Sequence, residues 1–476
     1  MGGGMINNLL SKTVSILGLG KSGMAILREL KKRGVHVIAW DDKEDLRKEA
    51  SSFGAKIQDL TTLDFSNVEF LVISPAIPHT YPTPNPVVLK AKEAGIKIID
   101  DVEVFVSTYN KSHYIGITGT NGKSTTTALI YHILKENNVK CAIGGNFGIP
   151  VFDLPDLGED GWYVLEMSSY QIELSPSIDF DISVLLNITP DHLDRHNGMD
   201  GYVNVKKQIF NRASKKTISN IIAVDDEYTK RIYNEISKNS SRYTHNIPVS
   251  FDRKTDGYYV NSKGMLIDNT KNEKKELLDL STLENLKGKH NWQNIVVSFA
   301  TCKQVGISTT KIINAIKTFS SLEHRVEKVA EFAGVEFIND SKATNAEATQ
   351  YAIASLDDVY WIVGGRKKDG GIDILLPQLS KGNIKRIFTI GECEKEFFNK
   401  TKKILPSYKM HKLEKAIVKA FKLAIKDLKK GKVKKPTIIL SPACASFDQY
   451  KSFEKRGEHF KKLVGNIILK YKNKLG

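Results

Sequence analysis

His113-Tyr114-Ile115-Gly116-Ile117-Thr118-Gly119-Thr120-Asn121-Gly122-Lys123-Ser124 runs from an apolar strand through a glycine-rich turn into the helical stretch TTTALIYHILKENN. Strand, Gly-rich loop and helix in that order make a phosphate cradle, because loop N–H groups and the positive end of the helix converge on one anion. Lys123 adds a neutralising charge, and the Ser124 hydroxyl can ligate Mg2+. The generic P-loop spacing asks for glycine at position 117, where this chain has Ile117, so the strict pattern fails by one residue. A chance Gly-Lys-Ser turn is the alternative, and the order of the flanking elements favours phosphate binding.

N-terminal to this stretch, Gly18-Leu19-Gly20-Lys21-Ser22-Gly23 lies between strand TVSILGLG and helix KSGMAILRELKKRG. Asp41 closes the next strand, VHVIAWDD, about twenty residues on, which is the spacing of a dinucleotide-binding turn. Read alone it suggests a nicotinamide-dependent dehydrogenase. The same geometry holds any nucleoside diphosphate, however, and no hydride-transfer constellation follows downstream. The series continues through FLVISPAI, a Pro-rich turn, helix NPVVLKAKEAG and strand IKIID, which predicts a parallel sheet.

C-terminal to the P-loop, WYVLEMSS and ISVLLNIT predict strands that end near Glu166 and near Asp191-His192-Leu193-Asp194-Arg195-His196. A carboxylate and a histidine at the C-terminal edge of a parallel sheet suit a hard cation bridging phosphates. Equally, Glu166 reads as a salt-bridging carboxylate and the histidines as surface polar residues. Short strand-like runs between about residues 221 and 280 predict a small β insertion. VEFINDSKA, VYWIVGG, RIFTIGE, KAIVKAFKLAIKDLKK and TIILSPAC then repeat the alternation. The loops Asn339–Asn345 and Ser441–Gln449 read either as turn and N-cap chemistry or as walls for an anionic, hydrogen-bonding substrate.

The expected fold is α/β in three domains, the natural division for 476 residues. Residues 1–111 are expected to be Rossmann-like, 112–321 a P-loop ATPase-like α/β domain carrying the β insertion, and 322–476 a second Rossmann-like domain. The net charge of +16 comes from lysines spread along the chain without an aromatic-interleaved basic stripe, which argues against nucleic-acid binding. No run approaches the ~18 apolar residues of a membrane span, so no membrane insertion is expected. Four scattered cysteines suggest neither a disulfide framework nor a zinc site, and the chain is expected in the cytoplasm.

Taken together, GTNGKS, LEHRVE, NDSKATN and SPACASFDQYKSFEKRGEHF resemble the Mur ligases. GLGKSG, SPAIP at Ser74, GGN at Asn146, DHLDRH and GKHNWQN support the resemblance, which spans essentially the whole chain in order. GTNGKS is shared with other Mur ligases and with folylpolyglutamate synthases, whereas NDSKATN and SPACASFDQYKSF resemble the D-glutamate-adding branch. The resemblance implies an ATP-dependent, Mg2+-using, monomeric amide ligase of peptidoglycan precursor synthesis. It would join D-glutamate to UDP-N-acetylmuramoyl-L-alanine through an acyl phosphate, releasing ADP and phosphate.

It also implies roles for residues. Lys21, Ser22, Asp41, Asp42, Ser74 and Asn146 would contact the UDP-linked substrate. ATP would be held by Gly119, Thr120, Asn121, Gly122, Lys123, Ser124 and Thr125, with Asn291 and Asn294 near the adenine and Arg325 and Asp340 near the ribose and phosphates. Ser124, Glu166 and His192 would bind Mg2+, aided by Lys206 if carbamylated, with Lys207 as the neighbouring alternative. Lys342, Thr344, Lys368, Ser446 and Phe453 would form the D-glutamate pocket. Lys123, His192 and Lys206 would be the catalytic group.

Overall fold

The computed structural model describes residues 9, 12–210, 218–238, 243–271, 273–283, 286, 288–320, 323–354, 356–367 and 371–472. The chain divides into two compact units, Met1–Glu284 with Lys289–Phe319, and Asn285–Gly288 with Ser320–Gly476. The first unit contains two sheets and the second unit one.

The first sheet comprises β1 (Thr13–Leu17), β2 (His36–Trp40), β3 (Lys56–Ile57), β4 (Val68–Ile73) and β5 (Lys97–Ile99), in the order β3-β2-β1-β4-β5. All its pairings are parallel. The order reverses at β1, so the glycine turn after β1 lies where an open α/β sheet leaves a crevice for ligands. The helix Lys21–Lys32 begins at this turn and buries Met24, Ile26, Leu27 and Leu30 against the sheet. That packing requires glycine at position 23, since any Cβ there would collide with the Gly18 carbonyl.

The second sheet holds β6 (His113–Thr118), β7 (Cys141–Gly145), β8 (Trp162–Glu166), β9 (Ile182–Leu185), β10 (Ile218–Ala223), β11 (Thr244–Ser250), β12 (Tyr258–Val260), β13 (Met265–Asp268) and β14 (Lys275–Asp279). Its order is β14-β13-β12-β11-β10-β9-β6-β8-β7. The β-rich stretch expected as an insertion proves to be a continuation of this sheet. β10 and β11 add to it in parallel with the helix Glu227–Lys238 between them, and β12–β14 finish the edge as an antiparallel meander. Few residues of EYTKRIYNEISK are apolar, so its helix period is weak in the sequence, and only Thr229 and Ile232 are buried.

The third sheet, in the second unit, comprises β15 (Glu327–Phe332), β16 (Val335–Asn339), β17 (Val359–Gly364), β18 (Ile384–Ile390), β19 (Ser407–His411) and β20 (Thr437–Leu440). The order is β15-β16-β20-β17-β18-β19, parallel except for the β15–β16 hairpin. The amphipathic helix Leu413–Lys429 covers one face with Leu413, Ala416, Ile417, Ala420, Phe421 and Ala424, leaving its lysines outside. Among the described residues no helix is long and apolar enough to cross a membrane.

Candidate active site

In the second sheet β6 is flanked by β8 on one side and β9 on the other. Parallel register sets Glu166 opposite Ile117 and Leu185 opposite Thr118. The carboxylate after one neighbour and the Asn187–His196 segment after the other therefore emerge beside the P-loop. Gly119 and Gly122 have φ of +154° and +86°, and Gly122 caps the helix Lys123–Glu136 in the left-handed region that favours glycine. A methyl group on Gly122 would run into the Asn294 side chain.

The loop is braced from several sides. Asn187 accepts from the Asn121 N–H at 2.8 Å, donates to the Asn121 carbonyl at 3.0 Å, and donates to Gln293 at 2.7 Å. Thr126 donates to Asn294 Oδ1 at 3.2 Å, and Asn294 donates to Asn291 Oδ1 at 3.1 Å. The structure thus brings Asn291 and Asn294 to the helix that leaves the P-loop. Lys123 folds back so that Nζ donates to the Gly119 and Thr120 carbonyls, each at 2.8 Å. Ser124 and Thr125 are buried in the first helical turn. Asn187 and Gln293 escaped sequence reasoning, although Gln293 lies inside the quoted run GKHNWQN.

Glu166 is buried, and Oε1 accepts from Asn146 Nδ2 at 2.8 Å. Its Oε2 is buried with no hydrogen-bond partner among the described residues. A carboxylate oxygen stripped of water and left without a donor is costly, and such an atom has the chemistry of a ligand for a hard cation. Asn146, expected to contact the UDP-linked substrate, stands beside Glu166, its own N–H donating to the Glu166 carbonyl at 2.9 Å. His192 is exposed, has φ +52°, and lies 3.5 Å from Asp191 Oδ2. No cluster of three or more His, Cys, Asp or Glu side chains occurs among the described residues.

Lys206 is 1% exposed. Nζ donates to the Gly119 carbonyl at 2.9 Å and to Thr118 Oγ1 at 3.3 Å, and lies 4.7 Å from the Tyr202 ring centre. Burial, reinforced by the charge of Lys123, drives its pKa well below the ordinary lysine value, against the pull of Asp191 and Glu166. Its neighbour Lys207 faces outward to Glu235 at 2.7 Å, which settles which lysine reaches the P-loop. Tyr202 joins the site as well, its hydroxyl 3.1 Å from Thr120 Oγ1.

In the first sheet Asp41 Oδ2 accepts from the Leu19 N–H at 2.7 Å and Oδ1 from the Lys43 N–H at 2.9 Å. Asp41 therefore shapes the glycine turn itself. Ser22 faces the buried Asp101 carboxyl. Lys21 and Asp42 are exposed, and Ser74 packs directly against Gly18.

In the second unit, β16 and β20 are adjacent, with Asn339 opposite Leu440, so the loops after them lie side by side. Arg456 locks them together. It is 1% exposed, donating from Nε to Ser341 Oγ at 2.9 Å and from Nη2 to the carbonyls of Ser341 and Cys444 at 2.9 and 3.0 Å. Ser341 Oγ donates to the Phe453 carbonyl at 2.8 Å. Lys342 Nζ lies 5.6 Å from the Phe453 ring centre, and Ser446 is buried in the neighbouring loop. Thr344 is half-buried, its N–H bonded to the Lys342 carbonyl at 2.8 Å. Lys368 lies outside the described residues. Nothing in the run FEKRGEHF distinguishes Arg456, a buried arginine clamp, from a surface charge.

Asp340 accepts from Ser441 Oγ at 2.6 Å and from the Val326 N–H at 3.2 Å, and feels the charge of Arg325. Burial raises its pKa to about 7 despite these contacts. The folded state then holds a proton that the unfolded chain has already released, so this group's contribution falls as pH rises from the unfolded carboxylate value to about 7. Urea titrations of wild type and Asp340→Asn should show the wild type losing stability relative to the variant across that window. A pH-independent difference would contradict the assignment.

The comparisons agree with this architecture. Residues 117–302 match the family model described as the Mur ligase middle domain. The UDP-N-acetylmuramoylalanine–D-glutamate ligase of Rhodospirillum rubrum is 42% identical over 95% of this chain and 94% of its own length. That of Paramagnetospirillum magneticum is 41% identical over 96% and 97%. Among solved structures, the UDP-N-acetylmuramate–alanine ligase of Thermotoga maritima shares the fold at a TM-score of 0.56 and 16% identity, over 96% of this chain and 99% of that one. Given full-length relatives at this identity, the chain belongs to the Mur ligase family, among the UDP-N-acetylmuramoylalanine–D-glutamate ligases.

Proposed function

We propose that the chain is a cytoplasmic, ATP-dependent ligase that adds D-glutamate to UDP-N-acetylmuramoyl-L-alanine, with domains 1–111, 112–321 and 322–476 presenting the UDP-linked substrate, ATP and D-glutamate. The observation that carries the ATP chemistry is the unpartnered, buried Glu166 Oε2 beside the Lys123 loop. The relatives' name supports the choice of substrates. Gly119–Ser124 N–H groups and Lys123 would cradle the phosphates, with Asn291 and Asn294 on the adenine side, and the family resemblance gives Arg325 and Asp340 to the ribose and phosphates. Ser124, Glu166 and His192 would hold Mg2+, which neutralises phosphate charge when bound.

The substrate carboxylate attacks the γ-phosphorus of ATP in line, forming an acyl phosphate and ADP. The D-glutamate amine then attacks the acyl carbon, and phosphate leaves as the amide forms. Lys342, Thr344, Ser446, Phe453 and Lys368 would orient that amino acid. Burial disfavours the protonated form of the Lys206 amine; the neutral form is the one that adds CO2, and the resulting carbamate would place a carboxylate at the P-loop. Lys206→Ala is accordingly expected to lose about a hundredfold in kcat, of the order of a lost positioning group, and to regain part of it with added formate or acetate. No rescue in a folded variant would contradict the carbamate.

The direct test is phosphate release from ATP, Mg2+ and UDP-N-acetylmuramoyl-L-alanine with D-glutamate, L-glutamate, L-lysine or no amino acid. Release dependent on D-glutamate is expected. Release driven by another amino acid would overturn the substrate assignment.

A further inference from the structure

The loop after β4 runs between the two nucleotide cradles of the first unit. At one end, a methyl group placed on Gly18 would meet the Ser74 Cβ at 2.7 Å, so the loop lies directly against the first glycine turn. Further along, residues of the second sheet grip it. Arg195, three positions beyond His192, donates to the Ala76 carbonyl at 3.0 Å and reaches the Pro75 carbonyl at 3.5 Å. Its guanidinium lies 4.5 Å from the Tyr170 ring centre. Tyr170 stacks on His196 at 5.4 Å and tilts against His192 at 5.3 Å.

Glu173 closes the other side of the grip. It stands on the helix Ser169–Leu174, which starts just after Glu166. Oε1 accepts from Thr80 Oγ1 at 3.3 Å, while Oε2 lies 3.2 Å from His79 Nε2 and 3.7 Å from His196 Nδ1. Both histidines are buried, and His196 Nε2 is 2.8 Å from Ser169 Oγ. Burial works to raise the Glu173 pKa, but the neighbouring His79 and His196, with the Thr80 hydroxyl, outweigh it, so that the net shift is downward. One carboxyl group therefore lies between a histidine of the loop that touches the Gly18 turn and a histidine of the segment that carries His192.

We propose that Glu173 is a positioning residue, which with Arg195 fixes the span between the diphosphate cradle of the first sheet and the P-loop of the second. The inference rests on the ligase reading above and adds a working part to it. A substrate anchored by its nucleotide end delivers its carboxylate in line with ATP only if that span is constant. A misplacement of about 1 Å costs about a hundredfold in rate. Among the described residues the hydrogen bonds and ion pairs of Glu173 go to Thr80, His79 and His196, so its loss should leave each binding site locally intact.

The test uses full-length Glu173→Ala, Glu173→Gln and His79→Gln, with kcat from D-glutamate-dependent phosphate release. Dissociation constants are measured for UDP-N-acetylmuramoyl-L-alanine and for a non-hydrolysable ATP analogue. Glu173→Ala and His79→Gln are expected to lose about a hundredfold in kcat, with both dissociation constants changed by less than about twofold. Glu173→Gln, which keeps the acceptor for Thr80 and loses the charge between the histidines, is expected to fall between wild type and Glu173→Ala. Unchanged kcat, or a loss of kcat matched by equal weakening of both ligands, would overturn the clasp. If Glu173→Ala does not fold, the other two variants decide the matter by the same criteria. A wild type that is inactive with this substrate overturns the ligase reading and the clasp with it, whereas an active wild type beside an equally active variant overturns the clasp alone.

Discussion

Lys123→Ala is expected to abolish ATP-dependent turnover, by about a thousandfold or more, while leaving UDP-substrate affinity within about twofold of wild type. The amine already leans over the loop, bonded to the Gly119 and Thr120 carbonyls. It is the cation built into the Gly119–Ser124 turn, where several phosphate charges must be brought against an incoming carboxylate. A thousandfold loss corresponds to about 4 kcal/mol of transition-state stabilisation, an ordinary value for one charged donor in a site closed to water. The first glycine turn belongs to a different sheet, shaped by Asp41 and covered by Ser74, and does not use this lysine. Calorimetric binding of the UDP-linked substrate beside steady-state turnover checks both halves. Equal loss of the two would contradict separate sites.

Glu166→Gln should separate stability from activity. In the wild type, Oε1 is bonded to Asn146 and Oε2 is buried without a donor, so the folded protein carries a carboxylate that is only half satisfied. Replacing it with an amide of nearly the same shape removes that charge. The melting temperature is expected to stay equal or rise, because breaking no pair leaves no new unpaired charge. Turnover is expected to fall by about a hundredfold or more, with a raised Mg2+ requirement, because a neutral amide is a poor ligand for a hard cation. A variant that melts lower and keeps its turnover would mean that Glu166 is a structural carboxylate after all.

Much of the architecture was legible in residue order. Glycines at positions 18, 20 and 23 and at 119 and 122 mark turns that only a strand-to-helix junction requires, and each introduces the expected helix. The loops after β16 and β20 were legible as polar segments, but their adjacency was not. It depends on β20 pairing between β16 and β17, a long-range choice that no local pattern encodes. The continuation of the second sheet through β10–β14 was read as an insertion because short strands do not announce which sheet they join.

Individual residues divide in the same way. Lys123, Ser124 and Glu166 could be picked out because their position after a strand fixes where they point. The resemblance favours Lys206 over Lys207, and on the helix Met199–Lys207 the first is buried while the second reaches Glu235. Arg456, Asn187 and Glu173 were invisible because their roles consist of bonds to backbone or to residues far away in sequence. Motifs reveal groups that meet ligands, whereas the groups that hold those residues in place appear only once the chain is folded.

This site is expected to make one amide bond for each ATP consumed. The wild-type chain should be incubated with ATP, Mg2+, UDP-N-acetylmuramoyl-L-alanine and D-glutamate, and the nucleotide-linked product weighed by mass spectrometry while ADP and phosphate are counted. A gain of one glutamyl residue, with ADP, phosphate and product formed in equal amounts, is the predicted result. ATP hydrolysis without that gain, or capture of a different amino acid, would contradict it.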